Sequence, residues 1–484
     1  MKLSRRTLLK LGLGAGALLA VPVGMQAHWS SKDFTRSDYS PTAPKAPAGR
    51  RSWRNWSGRY TATPQEIYSA PSEGELAEKI ANWEGRIRPV GSGHSFIDIV
   101  PTEDLMIDVG QLSGLYDVDK ENKTVTFGAG TRLRQAARLA AEQGLGFSNL
   151  PDVDVQTLAG SFSTGTHGTG RTLHALHNTV KNFRLIRPDG EVLNVSRDEN
   201  PELFDAGRVS LGSLGVISQY TLQLVDTYAL NRKIYFLKTE DVLDQFIELS
   251  KAHRNFEFFI LPNTGYSALL THDLYEGELE GRPPSQDEDF ILTLKQLRDV
   301  LGWSPWLRRS AFKAYVNTLI PESGLAEDTT DEYWKLLSSS RITKMNEMEY
   351  HIPEANAQKA VREVAAVMDS SKESFYPIEV RFTGQDDAWL SPFNDGVRCS
   401  IAVHTLHSES YMPLYDAVEP IVRKYGGRPH WGKFHSLDVQ HLDELYPNFA
   451  QFRELRRDMD PTGKFLNTRL ASIFGEDFGA SSTS

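Results

Sequence analysis

Apolar and polar positions alternate along the chain in two distinct rhythms. In "GELAEKIANWEG" the apolar residues Leu76, Ile80 and Trp83 recur at helical spacing. "IRPV" (87–90) is a short strand-like run that feeds directly into glycine, and "LMIDV" (105–109) and "TVTFGAG" (124–130) read as further strands. Thr131 is placed to cap a second helix carrying Leu133, Ala136, Ala137 and Ala140, with Gly144 as its stop. From about 181 to 225 strands dominate, and "NFRLIRPDGEVLNVS" predicts a hairpin around Asp189–Gly190. The rhythm weakens over 230–345, where charges are frequent and "EGELEGRPPSQDED" (276–289) reads as an exposed loop. "DFILTLKQLRDVLGWSPWLRRSAFKAYVNTLI" returns to helical spacing with aromatics; it either frames an entrance or covers the sheet without further role. "IPEANAQKAVREVAAVMDS" predicts a helix with Pro353 near its first turn, followed by the strands "YPIEVRF" and "RCSIAVHTLH". The pattern as a whole predicts an α+β fold in two lobes.

Length and charge narrow the classes. A chain of 484 residues exceeds one ordinary core, and we divide it into 52–225, 226–425 and 426–475, with a tail at 476–484. The net charge of −10 gives a nucleic-acid partner no electrostatic support. "SRRTLLK" sets Arg5 and Arg6 before an apolar run, Leu11 to Val23, too short to span a bilayer comfortably. The pair resembles a twin-arginine export signal, the alternative being an ordinary secretory signal with two arginines. Residues 1–27 are therefore expected to be removed near Ala27, leaving no stable membrane anchor, with 28–51 a linker. The expected location is periplasmic or secreted, with the twin-arginine export machinery as a partner. Cys399 is the only cysteine, so no internal disulfide and no Cys-rich metal site can form.

The chemistry gathers in two glycine loops and one strand. "PVGSGHSF" contributes Pro89, Val90, Gly91, Ser92, Gly93, His94, Ser95 and Phe96. It lacks the third glycine of a dinucleotide fingerprint, and a neutral imidazole is a poor phosphate ligand. "GSFSTGTHGTG" (160–170) holds four glycines, three threonines and two serines, with little to bury and many groups free for a polar ligand. With "GSLGVISQYTLQLV" (212–225), the loops imply a large ligand carrying both a diphosphate and a ring. In "YPIEVRF", alternation places Glu379 and Arg381 together on one face, which by spacing alone suggests an exposed ion pair. Lys433 in "RPHWGKFH" and His404 in "AVHTLH" read by themselves as a solvated lysine and a core histidine. His430 and His435 receive no role, and with His94 they lack metal-ligand spacing, so no metal is expected.

Together "GSGHSF", "GSFSTGTHGTG" and "RVSLGSLGVISQYTLQLV" resemble the flavin-binding domain of the vanillyl-alcohol-oxidase superfamily. The closer likeness is to its sugar-1,4-lactone and alditol oxidases, of the D-arabinono-1,4-lactone oxidase kind. "NWSG" (55–58), "EVRF" (379–382), "WLSP" (389–392), "RPHWGK" (428–433) and "GKFLN" (463–467) also stand in that group's order. The resemblance covers about 52–225 and 340–475 and fades between them. It implies FAD as cofactor, bonded covalently through His94. It also implies that the loop around His94, with Thr157, Gly160, Thr164, Gly165, Thr166, His167 and Ile217, lines the flavin. It makes Glu379, Arg381 and Lys433 the groups that hold and deprotonate a polyol or sugar lactone, and adds His404. Leu406 stands where alditol oxidases carry a substrate-binding Thr, which counts against an acyclic polyol. The implied reaction is oxidation of a CH–OH carbon, with O2 or another electron acceptor taking the electrons. The rivals are a dehydrogenase serving a quinone or cytochrome, and a noncatalytic exported sugar- or flavin-binding protein.

Overall fold

In the computed structural model, residues 23–24, 45–339, 341, 343–371 and 374–477 are described. Apart from residues 23–24, the expected export signal lies outside the described residues, as does most of the expected linker. Among these no helix is long and apolar enough to cross a membrane.

The chain first builds a small parallel sheet from β1 (Glu66–Ser69), β2 (Ile87–Val90) and β3 (Leu105–Asp108), in the order β1-β3-β2. Helix α1 (Glu73–Asn82) crosses over it and buries Leu76 and Ile80. Its start is fixed by Ser72, whose side chain accepts from the amide of Glu75. A five-stranded antiparallel sheet follows, made of β4 (Leu115–Asp119), β5 (Thr124–Gly128), β6 (Val180–Ile186), β7 (Val192–Ser196) and β8 (Val216–Gln223), in the order β7-β6-β8-β5-β4. The expected hairpin at Asp189–Gly190 is present, with Ile186 opposite Val192 and Gly190 at φ +86°. Helix α2 (Leu133–Ala141) buries the four predicted residues. Thr131 is not its cap. The residue before the helix is Arg132, and the Thr131 hydroxyl donates instead to the carbonyl of Gly128 at 2.6 Å.

The second half forms one eight-stranded antiparallel sheet. Its strands are β9 (Ala229–Lys238), β10 (Asn255–Leu261), β11 (Tyr266–Tyr275), β12 (Leu325–Glu332), β13 (Met345–Pro353), β14 (Ile378–Thr383), β15 (Arg398–Leu406) and β16 (Arg428–Pro429). The order is β12-β9-β11-β10-β14-β15-β13-β16. One face buries Phe256, Phe258, Met348, Val380 and Val403 in the main core, which also holds residues of α3 (Thr239–Ala252) and α4 (Glu354–Ser370). The other face looks toward the first lobe. Residues 230–345, where the periodicity faded, thus supply half of this sheet. They also supply two helices, α5 (Asp287–Leu301) and α6 (Pro305–Leu319), separated at 302–304. The helical reading of that segment holds, and the strand content around it is a correction.

The chain then returns to the first lobe. The amide of Ile87 donates to the carbonyl of Lys464 at 2.7 Å, and Phe465 joins the core of the small sheet. Arg88, 1% exposed, turns its guanidinium onto the carbonyls of Ile99, Leu211, Gly212 and Phe465. A buried cation satisfied by four carbonyls locks "GKFLN" and the Gly212 turn to β2.

Candidate functional site

The first glycine loop is tied by a side chain to the segment that leads into the second. Ser92 Oγ donates to the carbonyl of Val155 at 2.9 Å and accepts from the amide of Thr157 at 3.0 Å. Thr157 caps the short helix Leu158–Ser163, accepting from the amide of Gly160 at 3.2 Å. Gly91 sits against this cap so closely that a Cβ there would lie 2.1 Å from Thr157 Oγ1. The sequence NWSG braces the other side: Asn55 Nδ2 donates to the carbonyl of Ser95, and the amide of Trp56 donates to that of Gly93. Gly93 turns the chain at φ +67°.

His94 projects from this braced turn. Its ring stacks on Trp56, with centroids 4.9 Å apart and planes 21° from parallel. Among the described residues none hydrogen-bonds the imidazole. Burial, then Arg132 and Lys344, push its pKa down to about 4, so the ring is neutral and keeps a lone pair.

Across the cavity, the inward face of the large sheet carries the charges. Register aligns Phe236, Ala268, Phe259, Glu379, Ala402 and Glu349 in one row. Ile234, Leu270, Glu257, Arg381, Ser400 and His351 form the next. Glu379 and Arg381 are not an exposed pair; they are 6% and 5% exposed. Arg381 Nη2 donates to Glu349 Oε1 at 2.8 Å, its Nε lies 2.9 Å from Glu379 Oε1, and its Nη1 reaches Asp152 at 3.5 Å. Lys433 Nζ contacts Glu349 Oε2 at 2.8 Å and bonds Glu347. His404 Nε2 stands 3.5 Å from Glu347 and 4.0 Å from Glu379. Small residues Ala402 and Ser400 between these long side chains leave the room the cluster occupies.

The carboxyls divide by electrostatics. Glu349 is held well below the ordinary range: burial opposes its charge, but Arg381 and Lys433 overcome it. Glu347 is likewise held low, chiefly by Lys433 against burial. Glu379 goes the other way, raised well above the ordinary range by burial, with Arg381 opposing and Asp152 and Glu257 adding to the rise. Burial and Asp152 push Glu257 up to about 8. Oxygens of Asp152, Glu257 and Glu379 lie within 4.8 Å of one another, so each feels the others' charge; Asp152 itself is held low, burial opposing and Arg381 prevailing.

One cavity of about 720 Å³ joins the two halves. Its wall includes Pro89, Val90, Gly91, Ser92, Gly93, His94, Ser95, Phe96, Thr157, Gly160, Thr164, Thr166, His167 and Ile217 from the first lobe. Glu379, Arg381, His404 and Lys433 face it from the second. Gly165 is the exception: it does not line the cavity, and its open side meets Pro392 Cδ at 3.4 Å. Its φ of +74° shows its use, which is to turn the chain after the helix. His167 is buried against the charged cluster, with Nε2 3.2 Å from Glu349 and Nδ1 3.1 Å from Thr383 Oγ1. Leu406 packs with Leu294, Phe312, Phe375 and Tyr376 behind the cavity.

Sequence reading passed over Asp152, Glu257, Glu347 and Glu349. A signal for two of them existed: in "NEMEYHI" Glu347, Glu349 and His351 alternate with Met348, Tyr350 and Ile352. The loop expected at 276–289 is exposed but ends at 286, where α5 takes over at Asp287, and from Arg282 onward this stretch also lines the cavity.

Residues 220–473 match the family described as D-arabinono-1,4-lactone oxidase, and residues 70–196 match the FAD binding domain family. An L-gulono-1,4-lactone dehydrogenase of Mycobacterium tuberculosis is 34% identical over 87% of this chain and 99% of its own length. The L-gulonolactone oxidase of Mus musculus is 31% identical over 87% and 98%. An alditol oxidase of a Streptomyces species is 29% identical over 87% and 98%. Among solved structures, cholesterol oxidase from B. sterolicum superposes with a TM-score of 0.70 over 90% of this chain and 99% of that one, at 15% identity, a likeness of fold.

Proposed function

Because the chain belongs to the D-arabinono-1,4-lactone oxidase family and carries an FAD-binding domain, we propose that it oxidises a CH–OH carbon of a sugar-derived substrate, an aldono-1,4-lactone or an alditol. One observation carries the proposal: the glycine loops and a buried cluster of opposed charges line the same cavity. A cradle in which Gly91 has no room for a Cβ fits close approach by a cofactor. Residues Gly91–Phe96, Thr157, Thr164, Thr166, His167 and Ile217 would hold FAD there. When bound, FAD supplies the acceptor for the hydrogen that leaves carbon with its electron pair.

The chain's own groups do the rest. Glu379 takes the hydroxyl proton; its raised pKa makes it a stronger base than an ordinary carboxylate. Asp152 and Glu257 beside it help to hold that pKa up. Arg381 and Lys433 stay charged, since both are raised against burial by the neighbouring glutamates. They orient the substrate oxygens and favour negative charge developing near them. Glu349 grips both cations and fixes their separation. His404 stands between Glu347 and Glu379, where it can bind a substrate hydroxyl.

The neutral ring of His94 has the lone pair that a covalent tether to FAD requires. We assign the tether to it, and oxygen as electron acceptor with hydrogen peroxide as product. The relative named a dehydrogenase supports the second reading, a quinone or cytochrome acceptor. The test is anaerobic: aldonolactones and alditols should bleach the flavin absorbance of the holoenzyme, and readmitted air should restore it with peroxide formed. Flavin that stays oxidised with every member of both classes refutes the function. Bleaching that air fails to reverse refutes the oxygen assignment.

A further inference from the structure

The cavity does not end at the charged cluster. The same two rows that carry Glu379 and Arg381 continue across β10, β11 and β9 as Phe259, Ala268 and Phe236, and as Glu257, Leu270 and Ile234. Phe259 is directly opposite Glu379 in register. These two rows are apolar apart from Glu257; polar groups on the same face, Arg232, His272 and Glu327, lie beyond them toward the edge strand, where Arg232 pairs with Glu327 at 3.4 Å. The apolar side chains of the two rows are only half-buried although they lie on the inner face of a sheet. Apolar and aromatic side chains from other elements line the same cavity: Phe290 and Ile291 of α5, Tyr315 of α6, and Met345. Phe290 stacks on Tyr315 with centroids 5.9 Å apart. The charged stretch 282–289 also lines this chamber.

Sugars and their lactones have no use for such a wall. Five apolar side chains left incompletely covered next to a polar reaction centre forgo burial that a ligand can supply. Resting on the function proposed above, we infer that the substrate is bipartite. Its polyhydroxylated end reacts at Glu379, Arg381 and Lys433. An apolar substituent, alkyl or aryl, extends from the far end over Phe259, Ala268 and Phe236.

The experiment uses the holoenzyme and L-gulono-1,4-lactone esterified at its ring-distal primary hydroxyl with acetyl, butyryl, hexanoyl or octanoyl groups. Binding is measured by calorimetry on enzyme reduced with dithionite under nitrogen, where no oxidation competes. Anaerobic flavin bleaching is followed in parallel. Affinity should rise by about threefold to fourfold per methylene, the transfer value for burying CH2, and the heat capacity of binding should grow more negative. In Ala268→Trp, which fills the chamber, the ratio of octanoyl to acetyl affinity should fall toward one. Phe236→Ser, which wets the wall without filling it, should reduce the gain per methylene. Affinity that is flat or falling with chain length overturns the inference. So does flat binding combined with decylubiquinone outpacing oxygen in reoxidising the flavin, since the chamber would then hold an acceptor. If no ester bleaches the flavin but affinity climbs with chain length, the proposed reaction fails and the chamber stands.

Discussion

Replacing Glu349 by Gln tests whether the cluster is held by one buried anion. Glu349 is 0% exposed and contacts Arg381 at 2.8 Å, Lys433 at 2.8 Å and His167 at 3.2 Å. Gln keeps the shape but removes the charge and turns an amide N–H toward a cation. Breaking a buried ion pair by neutralising one partner costs about 3–5 kcal/mol, because the other charge stays buried. An unfolding entropy of about 2.1 cal/mol/K per residue over 484 residues gives about 1 kcal/mol/K. The loss should therefore appear as a Tm lowered by about 3–5 °C in scanning calorimetry at pH 7. The pH dependence has a definite sign. Glu349 is depressed in the folded state, so its contribution is fully present above the unfolded carboxylate pKa of about 4.3 and is lost as pH falls through its lower folded value. The gap between wild type and Glu349→Gln should be constant from pH 6 to 8 and narrow below about pH 4. Adding Lys433→Met removes one stranded cation, so the double variant should be more stable than the sum of the single losses predicts. A Glu349→Gln protein within about 0.5 kcal/mol of wild type, or strict additivity in the double variant, would refute the hub.

Glu379→Gln should behave oppositely in stability: a carboxyl raised in the folded state costs stability once pH exceeds its unfolded value, so the amide should raise Tm at pH 7. The same variant should slow anaerobic flavin reduction by about 10²-fold or more while FAD content stays unchanged. In wild type, that reduction rate should fall as pH drops through the raised Glu379 value, read by stopped-flow. Gly91→Ala should purify with little flavin, judged by visible absorbance per protein, and Thr157→Ala added to it should restore part of the colour by removing the clashing hydroxyl. Acid-precipitated wild type should stay yellow, whereas His94→Ala should release its flavin to the supernatant.

What could be read from the chain depended on what covers each face. Strands β2, β3 and β5 were legible because their apolar runs are short, bounded by glycine or charge, and buried on ordinary terms. Strands β10, β11 and β12 were not. β12 reads "LAEDTTDE", an edge strand with polar side chains, and β10 interrupts its apolar run with Glu257. Period-two alternation says which residues share a face; it cannot say whether water, another layer or a ligand lies against it. By that rule Glu379 and Arg381 looked solvated, and Glu347 and Glu349 drew no notice, although all four are buried. The resemblance to flavoenzymes recovered the first pair because their motif is shared, and missed the second because nothing local marks a counter-ion. Yet the physics links them. Two cations buried in one cavity demand anions within reach, and Arg381 with Lys433 could not both stay charged on Glu379 alone, whose own pKa is raised. The missing partners therefore had to stand on another strand of the same face, and they do, one strand beyond β15. In a sheet of this kind, an alternating acidic stripe between large apolar residues is where to look for them.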